Sequence, residues 1–112
     1  MTINELIETD AFTLLNEHAD TAIEINDVYI CDLLSWVISH AGSQCAWITV
    51  QTHKNIVAVA LLLKIACIII PEDIKPEDNT LKKANQENIS ILSTKLSAYE
   101  AACLLHKVGK FN

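Results

Sequence analysis

The residues best suited to chemistry form a polar run, Gln51, Thr52, His53 and Asn55, directly after an apolar segment. Because histidine titrates near neutral pH, His53 could act as a general base, accept a phosphoryl group or contact a ligand. At the start of a helix, the positive end of the helix dipole favours its neutral imidazole. A histidine in this position can equally well bond to a loop carbonyl or cap the helix, so the residue type alone does not decide its role.

Further candidates follow other apolar segments. These groups are mostly neutral hydrogen-bonding side chains and acids, which suits binding better than bond breaking, and we predict no catalytic residue. Asp32 and Ser35 could accompany His53 by topology, but Asp32 also stands where a helix N-cap belongs. The predicted ligand-binding residues are Asp32, Gln51, Thr52, His53, Asn55, Ser93 and Thr94.

The composition argues against several function classes. The net charge is −6, and all 8 positive residues are lysines, so no arginine is present to clamp a phosphate or a nucleic acid. With only Gly42 and Gly109, no glycine-rich phosphate-binding loop is possible. The histidines and the 4 cysteines lack metal-ligand spacing, and the cysteines fit small buried residues. We therefore predict no nucleic-acid partner, no metal and no cofactor.

The pattern of apolar residues predicts alternating strands and helices. Strands are expected over residues 12–15, 28–31, 46–50, 65–70 and 89–92, and helices over 3–8, 33–41, 55–64, 76–87 and 98–108. Such alternation is typical of a single α/β domain over residues 1–112, with a mostly parallel sheet of about five strands in a three-layer α/β/α arrangement. Since the carboxyl ends of parallel strands share one edge, the candidate side chains should meet there.

Two helices carry more apolar residues than one buried face requires. In the first, a stripe predicted to be buried comprises Leu33, Leu34, Val37, Ile38 and Ala41, and Trp36 lies off it. In the second, over 55–63, the residues Val57, Leu61 and Leu62 are predicted to face outward. We expect these three residues and Trp36 to contact a second copy of the chain or a partner protein.

No run approaches the roughly 20 apolar residues that a membrane span needs, and no basic segment precedes an apolar stretch at the start. We therefore expect no membrane association, no signal peptide and a cytoplasmic location.

Three segments make the sequence resemble the DRTGG domain family. They are Cys31 to Ser35, Trp47 to Ala60, and Ile91 to Glu100. The resemblance implies a fold like the N-terminal domain of HPr kinase/phosphorylase, in which such a domain accompanies a catalytic domain elsewhere. It therefore implies a small stand-alone member rather than a kinase.

The sequence departs from the family at two turns. The signature Asp-Arg-Thr-Gly-Gly falls where this chain has Asn26-Asp27-Val28, and a glycine-rich turn after the fourth strand is replaced by Pro71-Glu72-Asp73. If those turns offer backbone amides to an anion in relatives, the ability should be reduced here.

Three functions stay open at this point. The favoured one is a homodimeric, non-catalytic regulatory or assembly module that binds a small polar or anionic ligand at the strand edge. The second is a small enzyme or phosphocarrier that uses His53, and the third is a purely structural partner subunit.

Overall fold

The computed structural model describes residues 1–17 and 20–111. A five-stranded sheet forms from β1 (Thr13–Leu14), β2 (Asp27–Ile30), β3 (Cys45–Ile48), β4 (Cys67–Ile70) and β5 (Ser90–Ser93). The strand order is β1-β5-β4-β3-β2. Strands β2 to β5 are parallel, whereas β1 pairs with β5 in the antiparallel direction. The prediction of an α/β fold with a mostly parallel sheet of five strands is confirmed.

Five helices cover the sheet, and two separate cores show on which faces they lie. The helices are α1 (Ile3–Glu8), α2 (Leu34–His40), α3 (Asn55–Leu63), α4 (Asp78–Glu87) and α5 (Ala98–Gly109). One core joins α2, α3 and α4 to alternate strand residues such as Trp47 and Ile68. The other joins α1 and α5 to the intervening residues, among them Ile48 and Ile69. Side chains of a strand alternate between faces, so this division gives three layers, α/β/α.

Two helices begin at a Ser or Thr that is followed three residues later by Glu, a sequence pattern typical of a helix start. Ser97 and Glu100 form a full capping box at α5, with the Ser97 N–H donating to the Glu100 carboxylate at 3.0 Å. Those bonds with the backbone and side chain of Ser97 hold the pKa of Glu100 below its ordinary value. At α1, the Glu5 N–H donates to Thr2 Oγ1 at 3.1 Å.

Neither glycine ends a helix in the left-handed conformation. Gly42 follows Ala41, which caps α2 in an extended conformation, and Gly109 is the last residue of α5. The left-handed residues that end helices are instead Lys64, Asn88 and Lys110. Within residues 1–17 and 20–111, no helix has the length and apolar character needed to cross a membrane.

A buried side chain extends the pairing of the short strand β1. The Asn16 amide donates to the Ile89 carbonyl at 2.6 Å and accepts from the Ile91 N–H at 2.8 Å. Asn16 is only 4% exposed, and the Leu15 N–H donates to the Ile91 carbonyl just beside it. The Asn16 side chain therefore occupies the position that a further β1 residue would take along β5.

The four cysteines divide into two buried and two accessible thiols. Cys45 and Cys67 are fully buried, whereas Cys31 is half-buried and Cys103 is exposed. Burial and the nearby Asp27 carboxylate raise the pKa of Cys45 to about 11, and burial raises that of Cys67 further. The prediction of small buried residues thus holds for only two of them.

This division predicts the order of thiol modification. At pH 8 the native protein should react with a thiol reagent at Cys103 first and Cys31 next, while Cys45 and Cys67 react only after denaturation, because reaction requires an accessible thiolate. Mass spectrometry of peptides after timed labelling measures this. Rapid labelling of Cys67 in the native protein would contradict the packing of the α1/α5 face.

Candidate functional site

Asp32 joins the ends of β2 and β3. Its Oδ1 accepts from the Thr49 hydroxyl and from the Val50 N–H, each at 2.8 Å, and its carbonyl accepts from Gln51 Nε2 at 3.0 Å. Asp32 is therefore not the N-cap of α2: that position belongs to Leu33, which makes no side-chain cap bond. The Thr49 hydroxyl is buried and shielded from water, so the Asp32 carboxylate serves as its hydrogen-bond acceptor.

The corner between β3 and α3 is tied to α4. The Thr52 carbonyl accepts from the Thr80 hydroxyl at 2.7 Å and from the Glu77 N–H at 3.2 Å. His53 is exposed, and its Nδ1 faces the Asn55 N–H at 3.4 Å. Within the described chain, no carboxylate contacts the His53 ring, so the geometry has the character of a capping interaction.

The sheet order divides the predicted binding residues into two groups. Asp32, Gln51 and the corner residues lie at the ends of β2 and β3, whereas Ser93 and Thr94 lie at the end of β5 with β4 between the groups. Neighbouring strands are about 4.8 Å apart, so β3 and β5 are separated by roughly 10 Å. The seven residues therefore share one edge of the sheet as two groups rather than one cluster, and within the first group Gln51 is hydrogen-bonded to Asp32.

A cleft of about 500 Å³ lies beside the second group. Small-molecule sites commonly measure about 300–1,000 Å³, so its size suits a small ligand. Its hydroxyl-bearing residues are Thr13, Ser93 and Thr94, and its apolar residues are Ala11, Leu15 and Leu96. Of the predicted ligand-binding residues, only Ser93 and Thr94 line it.

Four charged residues complete the lining of the cleft: Asp10, Asp73, Lys75 and Lys95. Lys75 Nζ donates to the Asp73 carboxylate at 3.0 Å. That bond, the charge of Lys75 and the more distant charge of Lys95 hold the pKa of Asp73 below its ordinary value. The carboxylate therefore stays ionised at neutral pH, and both lysines lie within its electrostatic reach.

The turn after β4 keeps a glycine-like backbone without glycine. Glu72 and Asp73 have φ angles of 60° and 55°, in the left-handed region. Their N–H groups donate to the Leu96 and Thr94 carbonyls, each at 2.8 Å, which fixes the turn against the segment after β5. These two amides are thus occupied within the chain and are not free to bind an anion.

Replacing Glu72 by glycine should stabilise the protein by about 1 kcal/mol, since a left-handed conformation costs an L-residue roughly 1–2 kcal/mol and glycine far less. Glu72→Ala is the matched control, because it removes the same side chain but keeps the strain. Urea unfolding followed by circular dichroism measures both. Equal stabilities of the two variants would contradict the strain at this turn.

Four residues were predicted to form an interface, and their exposure differs. Val57 is fully buried, so its outward placement was wrong: α3 lies between α2 and α4, and a broad part of its surface is covered. Leu61 and Leu62 are 49% and 67% exposed, as predicted. Trp36 is half exposed and stacks on His40 with ring centroids 3.8 Å apart.

Helix α2 adds apolar surface that the sequence did not predict. Leu33 and Ile38 belong to the stripe expected to be buried, yet they are 63% and 44% exposed, and only Val37 of that stripe is fully buried. Helix α2 follows the edge strand β2, and its main neighbour is α3, so fewer elements are available to cover a full stripe.

The predicted ligand-binding residues omit five charged or hydroxyl-bearing residues of the cleft: Asp10, Thr13, Asp73, Lys75 and Lys95. The antiparallel direction of β1 brings its N-terminal end to the same edge as the carboxyl ends of the parallel strands. The polar residues around Phe12 are visible in the sequence. Assigning them to the cleft requires knowing that the N-terminal strand β1 pairs with β5.

The strand order and the two helix layers define a three-layer α/β/α module. Its cleft lies at the carboxyl ends of two parallel strands, β4 and β5. The sequence model of the DRTGG domain matches residues 5–108, and the chain belongs to the DRTGG domain family. A comparison with curated proteins finds no match.

Among solved structures, the chain is similar to the CBS and DRTGG domains of the regulatory region of Clostridium perfringens pyrophosphatase, crystallised with the activator diadenosine tetraphosphate. The TM-score is 0.68 at 15% identity, over 93% of this chain and 45% of that chain. This likeness concerns the fold. The present chain spans less than half of the length of that chain.

Proposed function

We propose that this chain is a non-catalytic regulatory module that binds a small polar ligand in the cleft between β1, β5 and the turn after β4. The observation that carries the proposal is the cleft itself, which combines charged, hydroxyl and apolar residues at the edge where α/β folds bind ligands. A regulatory setting is supported by the pyrophosphatase, where a DRTGG domain occurs in a regulatory region. The His53 alternative gains no support from the capping contact of its ring.

A thermal-shift screen of nucleotides, phosphorylated metabolites and amino acids tests the proposal. A ligand present well above its dissociation constant should raise the melting temperature by several degrees. Thr13→Trp should abolish the shift, because Thr13 is an exposed residue of the cleft and an indole there would obstruct ligand binding. Gln86→Trp, an exposed position on α4, is the matched control and should keep the shift.

Two results would contradict this site. A ligand whose effect survives in Thr13→Trp but vanishes in His53→Ala would bind at the β3–α3 corner, where the sequence first suggested a site. A screen without any hit would favour the structural partner subunit.

The module is further proposed to be a homodimer through α2 and α3. The support is the exposed apolar surface of Leu61, Leu62, Leu33 and Trp36, since large exposed side chains of this kind mark contact surfaces. Sedimentation equilibrium at micromolar concentration should give twice the chain mass, and Leu62→Glu should give the monomer. A monomeric native protein would overturn the homodimer and leave the cleft untouched.

A further inference from the structure

The charged residues of the cleft come from two parts of the chain that differ in net charge. Asp73, Lys75 and Lys95 lie on the segments that follow β4 and β5, and together they carry one net positive charge. Asp10 lies before β1 and carries one negative charge. Within the part of the chain that the structure describes, neither Asp10 nor Lys95 forms an ion pair, whereas Asp73 and Lys75 are paired with each other.

Asp10 and Lys95 lie on the chain extensions of two paired strands, Asp10 before β1 and Lys95 after β5. Thr13 pairs with Ser93, and continuing this antiparallel register by two residues would set Ala11 opposite Lys95. Asp10 is the next residue and has a left-handed φ of 63°. The uncharged lining residues are apolar or carry hydroxyls, and among them Leu15 and Leu96 offer contact to a hydrocarbon group.

We propose that the ligand of this cleft is a zwitterion with an apolar body, of the amino-acid class, whose ammonium group pairs with Asp10 and whose carboxylate pairs with Lys95. This inference rests on the proposed function of the cleft. A simple anion would face the Asp10 carboxylate and the −6 charge of the chain, and a simple cation would face the two lysines. A molecule carrying both charges complements both parts, and opposite charges steer its orientation.

The experiment is a titration of the ¹⁵N-labelled full chain with each common amino acid at millimolar concentration, followed by amide NMR. We expect at least one to shift the amides of residues 93–96 and of Asp10. The carboxylic acid lacking its amino group and the amine lacking its carboxylate should each bind about tenfold or more weakly, equivalent to about 1.4 kcal/mol. For leucine these two compounds are 4-methylpentanoate and 3-methylbutylamine.

Two variants that each remove one charge test whether both charges contact the ligand. The direction in which the affinity changes distinguishes a zwitterion from a simple anion. Asp10→Asn and Lys95→Gln should each weaken binding of the best amino acid by about fivefold or more, because each loses one charge pair. Lys82→Gln, on the exposed face of α4, is the matched control and should leave the affinity unchanged.

The outcomes also distinguish failure of this inference from failure of the proposed function. If inorganic phosphate or AMP binds in the cleft and Asp10→Asn tightens it, the cleft is a binding site but its ligand is an anion, and the zwitterion is excluded. If no amino acid shifts the cleft amides, the inference is likewise overturned. If, in addition, no compound of the thermal-shift screen depends on Thr13, the proposed function fails as well.

Discussion

Replacing Asn16 by alanine should lower the free energy of unfolding by about 2–4 kcal/mol. The substitution leaves the Ile89 carbonyl and the Ile91 N–H without their partner, and a buried backbone group without a hydrogen bond costs about 1–3 kcal/mol. Both groups lie beside residues that are buried, so water cannot readily replace the amide. Urea unfolding measured by circular dichroism gives the difference in free energy.

Asn85→Ala is the matched control for this measurement. The Asn85 side chain accepts from the Glu17 N–H at 2.8 Å in an exposed setting, where water can take over, so its loss should cost about 0.5–1 kcal/mol. Hydrogen exchange adds a local readout: the Ile91 amide should exchange faster in Asn16→Ala than in Asn85→Ala. A stability loss below about 1 kcal/mol for Asn16→Ala would show that the two bonds are not needed at this edge.

The second large effect is expected at Asp32. Asp32→Ala should destabilise the protein by about 1–2 kcal/mol, because it removes the acceptor of both the Thr49 hydroxyl and the Val50 N–H. The loss is smaller than at Asn16 because Asp32 itself is exposed and water can reach the site.

Asp32→Asn separates hydrogen bonding from charge at this position. Both bonds are made to the same oxygen, Oδ1, and an asparagine carbonyl can accept both. We therefore expect Asp32→Asn to retain most of the stability, with the Val50 amide resonance close to its native position. If Asp32→Asn were as unstable as Asp32→Ala, the negative charge rather than the two bonds would be what the junction requires.

The fold was largely predictable because its local signals agree with one another. Thr2, Glu5, Ser97 and Glu100 mark helix starts through bonds within three residues, and the apolar runs at β3 and β4 allow only buried strands. Such contacts are close in sequence, so pattern and propensity determine them. The polar segment 18–21 is typical of a turn, and it lies partly outside the described residues.

The candidate site was harder to predict because it depends on pairings distant in sequence. The Asn16 amide bonds to Ile89 and Ile91, just before and within β5 and 73 and 75 positions away. Asp32 bonds to Thr49 on β3 and does not cap the helix that follows it. Nothing local distinguishes an aspartate that caps a helix from one that bridges two strands. The cleft shares this origin, since the direction of β1 decides which charges face Ser93 and Thr94.

The two tryptophans occupy opposite environments, and this makes them separate optical probes. Trp47 is fully buried and its indole N–H donates to the Cys31 carbonyl at 2.9 Å, whereas Trp36 is half exposed on α2. A quencher such as acrylamide should therefore extinguish the emission of Trp36 alone in the folded protein. Protection of Trp36 on concentration would report association at α2, while a red shift of the shielded indole would report loss of the core.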